Sequence, residues 1–241
     1  MRISVIIPAF NEERLLPETL SHVKLALEEF TRRKWETELI ICDNNSTDRT
    51  AELARAAGAR VVFEPINQIA RARNSGASAA SGDWLIFIDA DSKPSPELFW
   101  AVADQIEQGD CLAGGSTVKL DGDFPVGRWI VGLWNVIGRT GTWMAGSFIF
   151  CEAAAFRSIG GFGEELFVAE ELSLAKRFKQ LAKQRGKRIV ILHAHPLVTS
   201  GRKFHLYSFR EHLRLFLGTL LRPGKVFNSR EGSHMWYDGR R

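Results

Sequence analysis

Two aspartates, Asp89 and Asp91, follow an apolar run, and their spacing points directly to chemistry. The run Trp84–Ile88 consists of large apolar residues, which predicts a strand buried on both faces. Side chains alternate along a strand, so carboxylates two residues apart project to the same side. Because carboxylates do not stay ionised in a dry core, a hard cation such as Mg²⁺ or Mn²⁺, bound together with substrate phosphates, suits this pair. A solvated strand end is the simpler alternative.

The chain has 241 residues, of which 45% are hydrophobic and 25% charged, as in a globular protein with one large α/β domain or a domain plus an appendage. Its net charge of +4 is unevenly distributed. Residues 201–241 carry nine Lys or Arg and three acids, a net of +6, so the first 200 residues carry −2. This basic segment favours an anionic partner, either phosphate groups or an acidic lipid surface, over general nucleic-acid binding.

The first residues lead directly into a strand-length apolar run at 3–7, so we expect no signal peptide. No stretch reaches about 18 uninterrupted apolar residues, so we also expect no membrane-spanning helix. The three cysteines, Cys42, Cys111 and Cys151, are widely spaced, which favours buried free thiols over a disulfide or a zinc site. These features predict a cytoplasmic protein.

Strand and helix signals alternate through the first 120 residues. The predicted strands are 3–7, 38–42, 60–63 and 84–88, and the predicted helices are 17–30, 50–57, 68–80 and one that begins at Pro96. This βαβ repetition predicts an α/β fold with a mostly parallel sheet covered on both faces by helices. Ligands of such sheets bind beyond the carboxyl ends of the strands, so residues 8–12, 43–45, 64 and 89–91 are expected to gather on one rim.

The pattern changes after residue 120. Residues 125–146 are aromatic and glycine-rich and are predicted to form a helix and a loop over the rim, with Trp129, Trp134 and Trp143 either stacking on a sugar or lipid chain or packing in the core. A strand at 147–151, a tight turn at 160–162, a helix at 169–185 and a strand at 188–192 follow. Segment 199–203 combines hydroxyl, glycine and cation, a composition suited to a loop that clamps phosphate oxygens.

Several short segments, taken in order, resemble the motifs of family 2 glycosyltransferases, inverting enzymes with the GT-A fold, an α/β domain that binds a nucleotide sugar. They are Val5–Glu13, Asp43–Asp48, Ala72–Gly76, Asp89–Asp91, Gly160–Phe162 and the pair Glu170-Glu171. The resemblance covers roughly residues 3–203. It implies one domain, 1–203, with a nucleotide-sugar-binding half at 1–120 and an acceptor half at 121–203. A basic amphipathic, helical extension, 204–241, follows.

The resemblance implies a nucleotide-sugar site built from residues of several motifs. Asp43 contacts the base and ribose, although it could instead start an Asx turn. Asp89 lies near the ribose and Asp91 on the metal, whose charge offsets that of the departing nucleoside diphosphate. The other residues of this expected site are Pro8, Asn11, Glu12 and Asn74.

Cationic side chains are the expected contacts of the diphosphate. Either Arg71 or Arg73 could reach it, although arginines on a surface helix are more often solvated. Arg202, in segment 199–203, is a further diphosphate contact. A late histidine completes the metal shell in some GT-A enzymes, which makes His195 a candidate metal ligand; a structural hydrogen bond is the alternative for His195.

Glu170 and Glu171 occupy the place where the family usually has Glu-Asp. The resemblance implies that one of them is the catalytic base, which deprotonates the acceptor hydroxyl as it attacks the anomeric carbon. Position favours Glu171 as the base. The alternative is that both are ordinary acids at the start of a helix, where they complement its macrodipole.

The resemblance therefore implies an inverting transfer of a sugar from a nucleoside diphosphate, with UDP favoured, to an acceptor hydroxyl or lipid phosphate, with Mn²⁺ or Mg²⁺ as cofactor. The Gln-x-x-Arg-Trp motif of processive synthases is absent, so we expect no processive synthesis. A sugar-phosphate nucleotidyltransferase would carry a basic glycine-rich loop after the first strand, and a dinucleotide oxidoreductase a G-x-G-x-x-G, and neither is present. A binding module that has lost the chemistry is the remaining alternative, against which both carboxylate pairs are intact.

The extension carries an amphipathic pattern between residues 207 and 221. Its apolar stripe, flanked by arginines, consists of Phe209, Leu213, Phe216, Leu217 and Leu220. A basic amphipathic helix can lie in an anionic membrane surface, which predicts peripheral contact with the inner membrane surface. Packing of the stripe on the catalytic domain is the alternative, and it is the commoner arrangement for amphipathic helices of globular proteins.

Overall fold

The computed structural model describes residues 1–165, 170–202 and 206. Its strands are β1 (Arg2–Ala9), β2 (Glu36–Asp43), β3 (Arg60–Phe63), β4 (Trp84–Ile88), β5 (Ser92–Lys93), β6 (Cys111–Asp121), β7 (Phe148–Glu152) and β8 (Arg188–Ser200). Its helices are α1 (Leu16–Arg32), α2 (Thr50–Ala56), α3 (Ile69–Ala79), α4 (Pro96–Gln108), α5 (Pro125–Gly141), α6 (Ala153–Ser158) and α7 (Glu170–Arg185).

The strands form one sheet in the order β3-β2-β1-β4-β7-β6-β8-β5. Strands β3, β2, β1 and β4 are parallel, β7 is antiparallel to both of its neighbours, β6 and β8 are parallel to each other, and β5 is antiparallel to β8. Side chains of α1 and α4 pack on one face of the sheet, and those of α3, α6 and α7 pack on the other. The prediction of an α/β fold with a mostly parallel sheet is confirmed, and β4 is buried along its whole length.

Local sequence signals position the helices nearest the strand ends. The Ser95 side chain caps α4 by accepting a hydrogen bond from Leu98 N at 3.2 Å. A Cβ on Gly76 would lie only 2.5 Å from Cγ2 of Ile6, so glycine is what lets α3 pack this closely on β1. This close approach places the polar residues of α3 against the sheet.

Strands β5 and β6 and helix α6 have no counterpart among the predicted elements. Strand β8 also continues to Ser200 instead of ending at Leu192, because it pairs with β6 and then with β5. The register between β6 and β8 shifts after Leu192, and Pro196 falls within this irregularity, where a strand tolerates proline. The segment expected to be a phosphate-clamping loop, 199–203, therefore begins as a paired strand.

The three cysteines are buried and free, as predicted, and burial raises the pKa of the Cys42 thiol to about 12. No helix in the described part of the chain is long and apolar enough to cross a bilayer. Strands β7 and β8, from the expected acceptor half, complete the same sheet as the strands of the first half. Apart from residue 206, the extension 204–241 lies outside the described residues, and so does its amphipathic stripe.

Candidate functional site

The carboxyl ends of the parallel strands meet at one rim, as predicted. Asn44 connects three of these ends, because its N donates to Ala9 O at 2.8 Å and its Nδ2 donates to Glu64 O at 3.3 Å. Thr19 Oγ1 donates to Ala90 O at 2.8 Å, which attaches α1 to the segment that follows β4. Hydrogen bonds between backbone and short polar side chains therefore fix the rim.

The expected nucleotide pocket lies where β1 and β2 end. The backbone of Asn11 is left-handed, with φ of 53°, and its Oδ1 accepts a hydrogen bond from Thr47 N at 2.8 Å. Asp43 Oδ1 accepts one from Ser46 N, three residues further on, at 3.1 Å, so the Asp43 carboxylate stabilises the turn that follows β2. Pro8 is buried within β1. Nucleotide contacts by Pro8, Asn11 and Asp43 stay predictions.

Arg202 joins the two sides of the rim. Its Nη1 donates to Glu12 Oε2 at 2.7 Å and its Nη2 donates to Glu12 Oε1, a bidentate ion pair. The same Nη2 lies 3.3 Å from Asp91 Oδ2, and Thr199 Oγ1 donates to Asp91 Oδ1 at 3.4 Å. Three residues expected at the donor site, Glu12, Asp91 and Arg202, thus lie together.

Arg73 occupies the interior of the site and is only 2% exposed. Its Nη2 donates to Asp89 Oδ1 at 2.9 Å and to Gly146 O at 2.7 Å, and its Nη1 donates to Glu170 Oε1. The guanidinium also lies over the ring of Phe162, 5.2 Å from its centroid. Arg73 therefore connects the Asp-x-Asp segment to the glutamate pair, while a diphosphate contact for Arg73 stays a prediction.

Asn74 binds the tight turn at 160–162 to α3. Its Nδ2 donates to Phe162 O and its Oδ1 accepts from Phe162 N, both at 2.9 Å, and Nδ2 also donates to Glu164 Oε1 at 3.1 Å. Gly161 has φ of 67°, and a Cβ there would lie 2.7 Å from Asn74 Oδ1, so the turn requires glycine. The resemblance assigned Asn74 to the nucleotide sugar; the contacts of its amide are with the turn, and a sugar contact stays a prediction.

Glu171 lies beside Gly146, at the first turn of α7. A Cβ on Gly146 would lie 3.4 Å from Glu171 Cδ and 3.5 Å from Arg73 Nη2. Burial, and after it the charge of Glu170, raises the pKa of Glu171 to about 7, against the opposing charge of Arg73. Burial also raises the pKa of Glu170, and its partner Arg73 opposes that shift. A carboxylate whose pKa lies near neutral pH has the basicity that a general base requires.

The partners of two further expected residues lie outside the Asp-x-Asp segment and the glutamate pair. Arg71 pairs with Glu164 at 2.9 Å, and both side chains are substantially exposed. The pKa of Glu97 is lowered by the Ser95 hydroxyl first and by His195 among its smaller causes, which places His195 near the first turn of α4. Within residues 1–165 and 170–202 no three His, Cys, Asp or Glu side chains are grouped to hold a metal ion, and a metal contact for His195 stays a prediction.

The sequence analysis did not single out Gly146, whose carbonyl oxygen accepts a hydrogen bond from Arg73. Gly146 lies in the loop after α5, and the glycine-rich composition of residues 125–146 was its signal. Thr199 belongs to the expected phosphate clamp, and the structure shows its hydroxyl in contact with Asp91.

Proteins of a known family resemble this chain in sequence. The family model described as Glycosyl transferase family 2 matches residues 4–157. The chain belongs to this family. An undecaprenyl-phosphate 4-deoxy-4-formamido-L-arabinose transferase of Pseudomonas fluorescens is 32% identical over 164 residues, covering 64% of this chain and 47% of the relative. A dolichol-phosphate mannosyltransferase of Pyrococcus furiosus is 32% identical over 124 residues, covering 48% of this chain and 33% of the relative. The chain thus spans less than half the length of these curated relatives.

Solved structures of other proteins share the fold of this chain. S. aureus TarS in complex with UDP-GlcNAc matches with a TM-score of 0.66 at 22% identity, over 98% of this chain and 69% of that one. Mycobacterium tuberculosis glucosyl-3-phosphoglycerate synthase, in complex with Mn²⁺, UDP and glucosyl-3-phosphoglycerate, matches with a TM-score of 0.61 at 22% identity, over 91% of this chain and 78% of that one. The prediction of a family 2 glycosyltransferase with the GT-A fold is confirmed.

Proposed function

We propose that this chain transfers a sugar from a nucleoside diphosphate, with UDP favoured, to a hydroxyl or phosphate of a lipid-linked acceptor, with inversion at the anomeric carbon and a divalent metal as cofactor. The observation that carries the proposal is Glu171, a carboxylate with a pKa of about 7 that lies next to Arg73 and the Asp-x-Asp segment. Support also comes from the neighbours solved with UDP or UDP-GlcNAc and from the relatives named for lipid phosphates.

The site has a binding side and a basic side. On the binding side, Arg202 can exchange one of its two carboxylate partners for diphosphate oxygens, to which a guanidinium donates bidentately. On the basic side, Glu171 in its ionised form accepts the proton of the acceptor hydroxyl as that oxygen attacks the anomeric carbon. The bond between this carbon and the diphosphate breaks in the same step, so the configuration inverts. Arg73 holds Asp89 and Glu170 between the two sides and is a positioning residue.

Asp91 suits a divalent cation. Its carboxylate lies at a strand end beside the expected diphosphate contact Arg202, and Mg²⁺ or Mn²⁺ is commonly held by one or two carboxylates together with substrate phosphates. A bound cation would supply positive charge to the departing diphosphate. Because the described acids do not form a cage of three around Asp91, metal affinity is expected to depend on the nucleotide.

Assays with UDP-, GDP- and dTDP-sugars, with and without Mn²⁺, test the proposal. A transferase releases nucleoside diphosphate and forms a glycoside, whose anomeric configuration NMR reports. A binding module of the same fold would bind the nucleotide sugar without turnover. A sugar-phosphate nucleotidyltransferase would instead release pyrophosphate from a nucleoside triphosphate and a sugar 1-phosphate. Either result would contradict the proposed reaction.

Replacing Asp91 by Ala is expected to abolish the part of UDP binding that depends on Mn²⁺, while the protein stays folded because Asp91 lies at the rim. Calorimetric titration of UDP with and without Mn²⁺ measures this part. Asp110→Ala is the matched control, because Asp110 also pairs with a cation, Arg188, but lies just before β6, at the opposite end of the strands from Asp91. Undiminished Mn²⁺-dependent binding in Asp91→Ala would show that Asp91 is not the metal ligand.

Replacing Arg202 by Lys is expected to raise the donor KM about tenfold, because an ammonium group cannot reproduce a bidentate contact with phosphate. Arg49→Lys is the control, since Arg49 makes a bidentate pair with Glu52 on the exposed surface of the protein. Steady-state kinetics at saturating acceptor measure both variants. A donor KM in Arg202→Lys equal to that of Arg49→Lys would assign Arg202 to a structural ion pair only.

A further inference from the structure

Helix α5 presents a continuous apolar face to solvent. The exposed large side chains of this face are Trp129, Ile130, Leu133, Val136 and Ile137. Trp129 is 72% exposed and Leu133 is 49% exposed. The spacing of these residues places all five on one side of the helix. A contiguous apolar patch of this kind marks a surface that another body covers.

The exposure of this face follows from the way α5 is attached to the sheet. Asn135, on the opposite side of the helix, accepts a hydrogen bond from Val118 N at 2.9 Å through Oδ1 and donates one to Val118 O at 2.8 Å through Nδ2. This pair of hydrogen bonds holds α5 against β6 and determines which side of the helix faces outward. The fold therefore holds the apolar face of α5 in its outward orientation.

The charged side chains of α5 are both positive and lie on the same side of the helix. The only ionisable side chains in its sequence are Arg128 and Arg139. They are about three helical turns apart, so they lie on the same edge of the apolar face. Arg128 has an exposed partner, Asp123, at 3.2 Å. A helix with tryptophan and aliphatic residues on one face and arginines along its edge has the composition of helices that lie in the interface of an anionic bilayer.

The position of α5 connects this face with the site. At its start, the ring of Phe124 lies against Gly201, next to Arg202. At its end, the loop after Gly141 leads to Gly146, which lies against Glu171. Helix α5 thus borders the rim between the expected diphosphate contact and the expected base. A membrane covering α5 would place an acceptor group at the lipid surface beside Glu171.

We propose that α5 docks on the surface of a bilayer containing anionic lipids, with its apolar face in the headgroup region and Arg128 and Arg139 on lipid phosphates. The acceptor side of this inference rests on the proposed function, because a lipid-linked acceptor explains why the docking face borders the site. The helix has 17 residues, a length of about 25 Å, and lies along the protein surface, so it lies on the membrane and does not cross it. The expected affinity increases with anionic lipid and decreases with salt.

The test is co-sedimentation of the full chain with vesicles of phosphatidylcholine, with and without phosphatidylglycerol, in the absence of donor and acceptor. The wild type is expected to bind the anionic vesicles, and Leu133→Glu/Ile137→Glu is expected to bind about tenfold more weakly or less, because two apolar side chains no longer enter the interface. Leu25→Glu is the matched control: Leu25 is 50% exposed on α1 and is expected to leave binding unchanged. Urea unfolding of each variant confirms that it is folded.

Absence of wild-type binding to anionic vesicles, or equal binding by Leu133→Glu/Ile137→Glu, would overturn the proposal. If the wild type does not bind vesicles, and the double variant has a different oligomeric state or a lower Tm than Leu25→Glu, the apolar face is covered by another part of the protein or by a second copy. Failure of the docking proposal can be distinguished from failure of the proposed function. Vesicle binding through α5 without sugar transfer to a polyprenyl phosphate would support the docking and contradict the proposed function. Transfer to a short, water-soluble acceptor without vesicle binding would support sugar transfer and contradict the docking.

Discussion

Replacing Glu171 by Gln is expected to lower the rate of sugar transfer to a hydroxyl acceptor by roughly 10²–10⁴-fold, the range that general-base catalysis supplies. Gln preserves the size and polarity of the side chain but accepts no proton. Glu171 lies beside Gly146 and away from the ion pairs of Arg202 with Glu12 and Asp91, so affinity for the donor is expected to persist. Transfer kinetics and donor titration on the same preparation measure the two quantities separately.

The pH dependence identifies the group that is lost. Because only the ionised carboxylate accepts a proton, kcat/KM of the wild type is expected to rise with pH and to level off above about 7, the pKa of Glu171. This pKa is above the usual 4.5, so ionising Glu171 in the folded protein costs stability as the pH rises between these two values. Glu171→Gln should lack both the rise in kcat/KM and this part of the fall in the free energy of unfolding.

The same variant discriminates between the two acceptor groups that the proposed function leaves open. A phosphate monoester has a second pKa near 6 and is already ionised at slightly alkaline pH, so its attack needs no base. A hydroxyl does need one. A large loss with an alcohol acceptor and a small loss with a lipid phosphate would therefore follow if Glu171 acts only as a base.

Glu170→Gln is the matched control, because Glu170 has the same size and lies in the same helical turn but pairs with Arg73. Its effect on transfer is expected to be smaller than that of Glu171→Gln. A crippled Glu170→Gln together with a nearly normal Glu171→Gln would reverse the assignment within the pair.

The features that could be predicted from the sequence are those that short segments determine. Strand β4 and the two aspartates after it follow from an apolar run and a change to polar residues, and α4 follows from Ser95 and Pro96 at its start. The convergence of the strand ends follows from the parallel order of the sheet. Each of these inferences needs only neighbouring residues and a general rule of topology.

The partners of the charged residues could not be anticipated in that way. The contact of Arg73 with Glu170 joins residues 97 positions apart, and that of Asn74 with Phe162 joins residues 88 apart. Both depend on how closely α3 packs on β1, which the single glycine at 76 permits. The length of β8 likewise depends on its pairing with β6, an element without an alternating pattern of its own. Tertiary packing, rather than local propensity, determines these features.

Replacing Arg73 by Met is expected to lower the free energy of unfolding by roughly 3–5 kcal/mol, because removing one partner of a buried ion pair leaves its acids without a cation. Met has a similar length, so the loss is mainly one of charge and hydrogen bonds. Arg71→Met is the matched control on the same helix. Arg71 forms a substantially exposed pair with Glu164, whose contribution should not exceed about 1 kcal/mol. Urea unfolding of both variants measures the difference.

The pH dependence of this loss separates an electrostatic role of Arg73 from simple packing. Without the guanidinium, the pKa of Glu170 in the folded protein, which burial already raises, should rise further. Folding then takes up protons, and stability is lost as the pH rises through that window. The destabilisation by Arg73→Met should therefore be larger at pH 8 than at pH 5, and Glu170→Gln introduced into the same chain should recover part of it. A loss that is equal at both pH values and unchanged by Glu170→Gln would mean that Arg73 stabilises the site through packing alone.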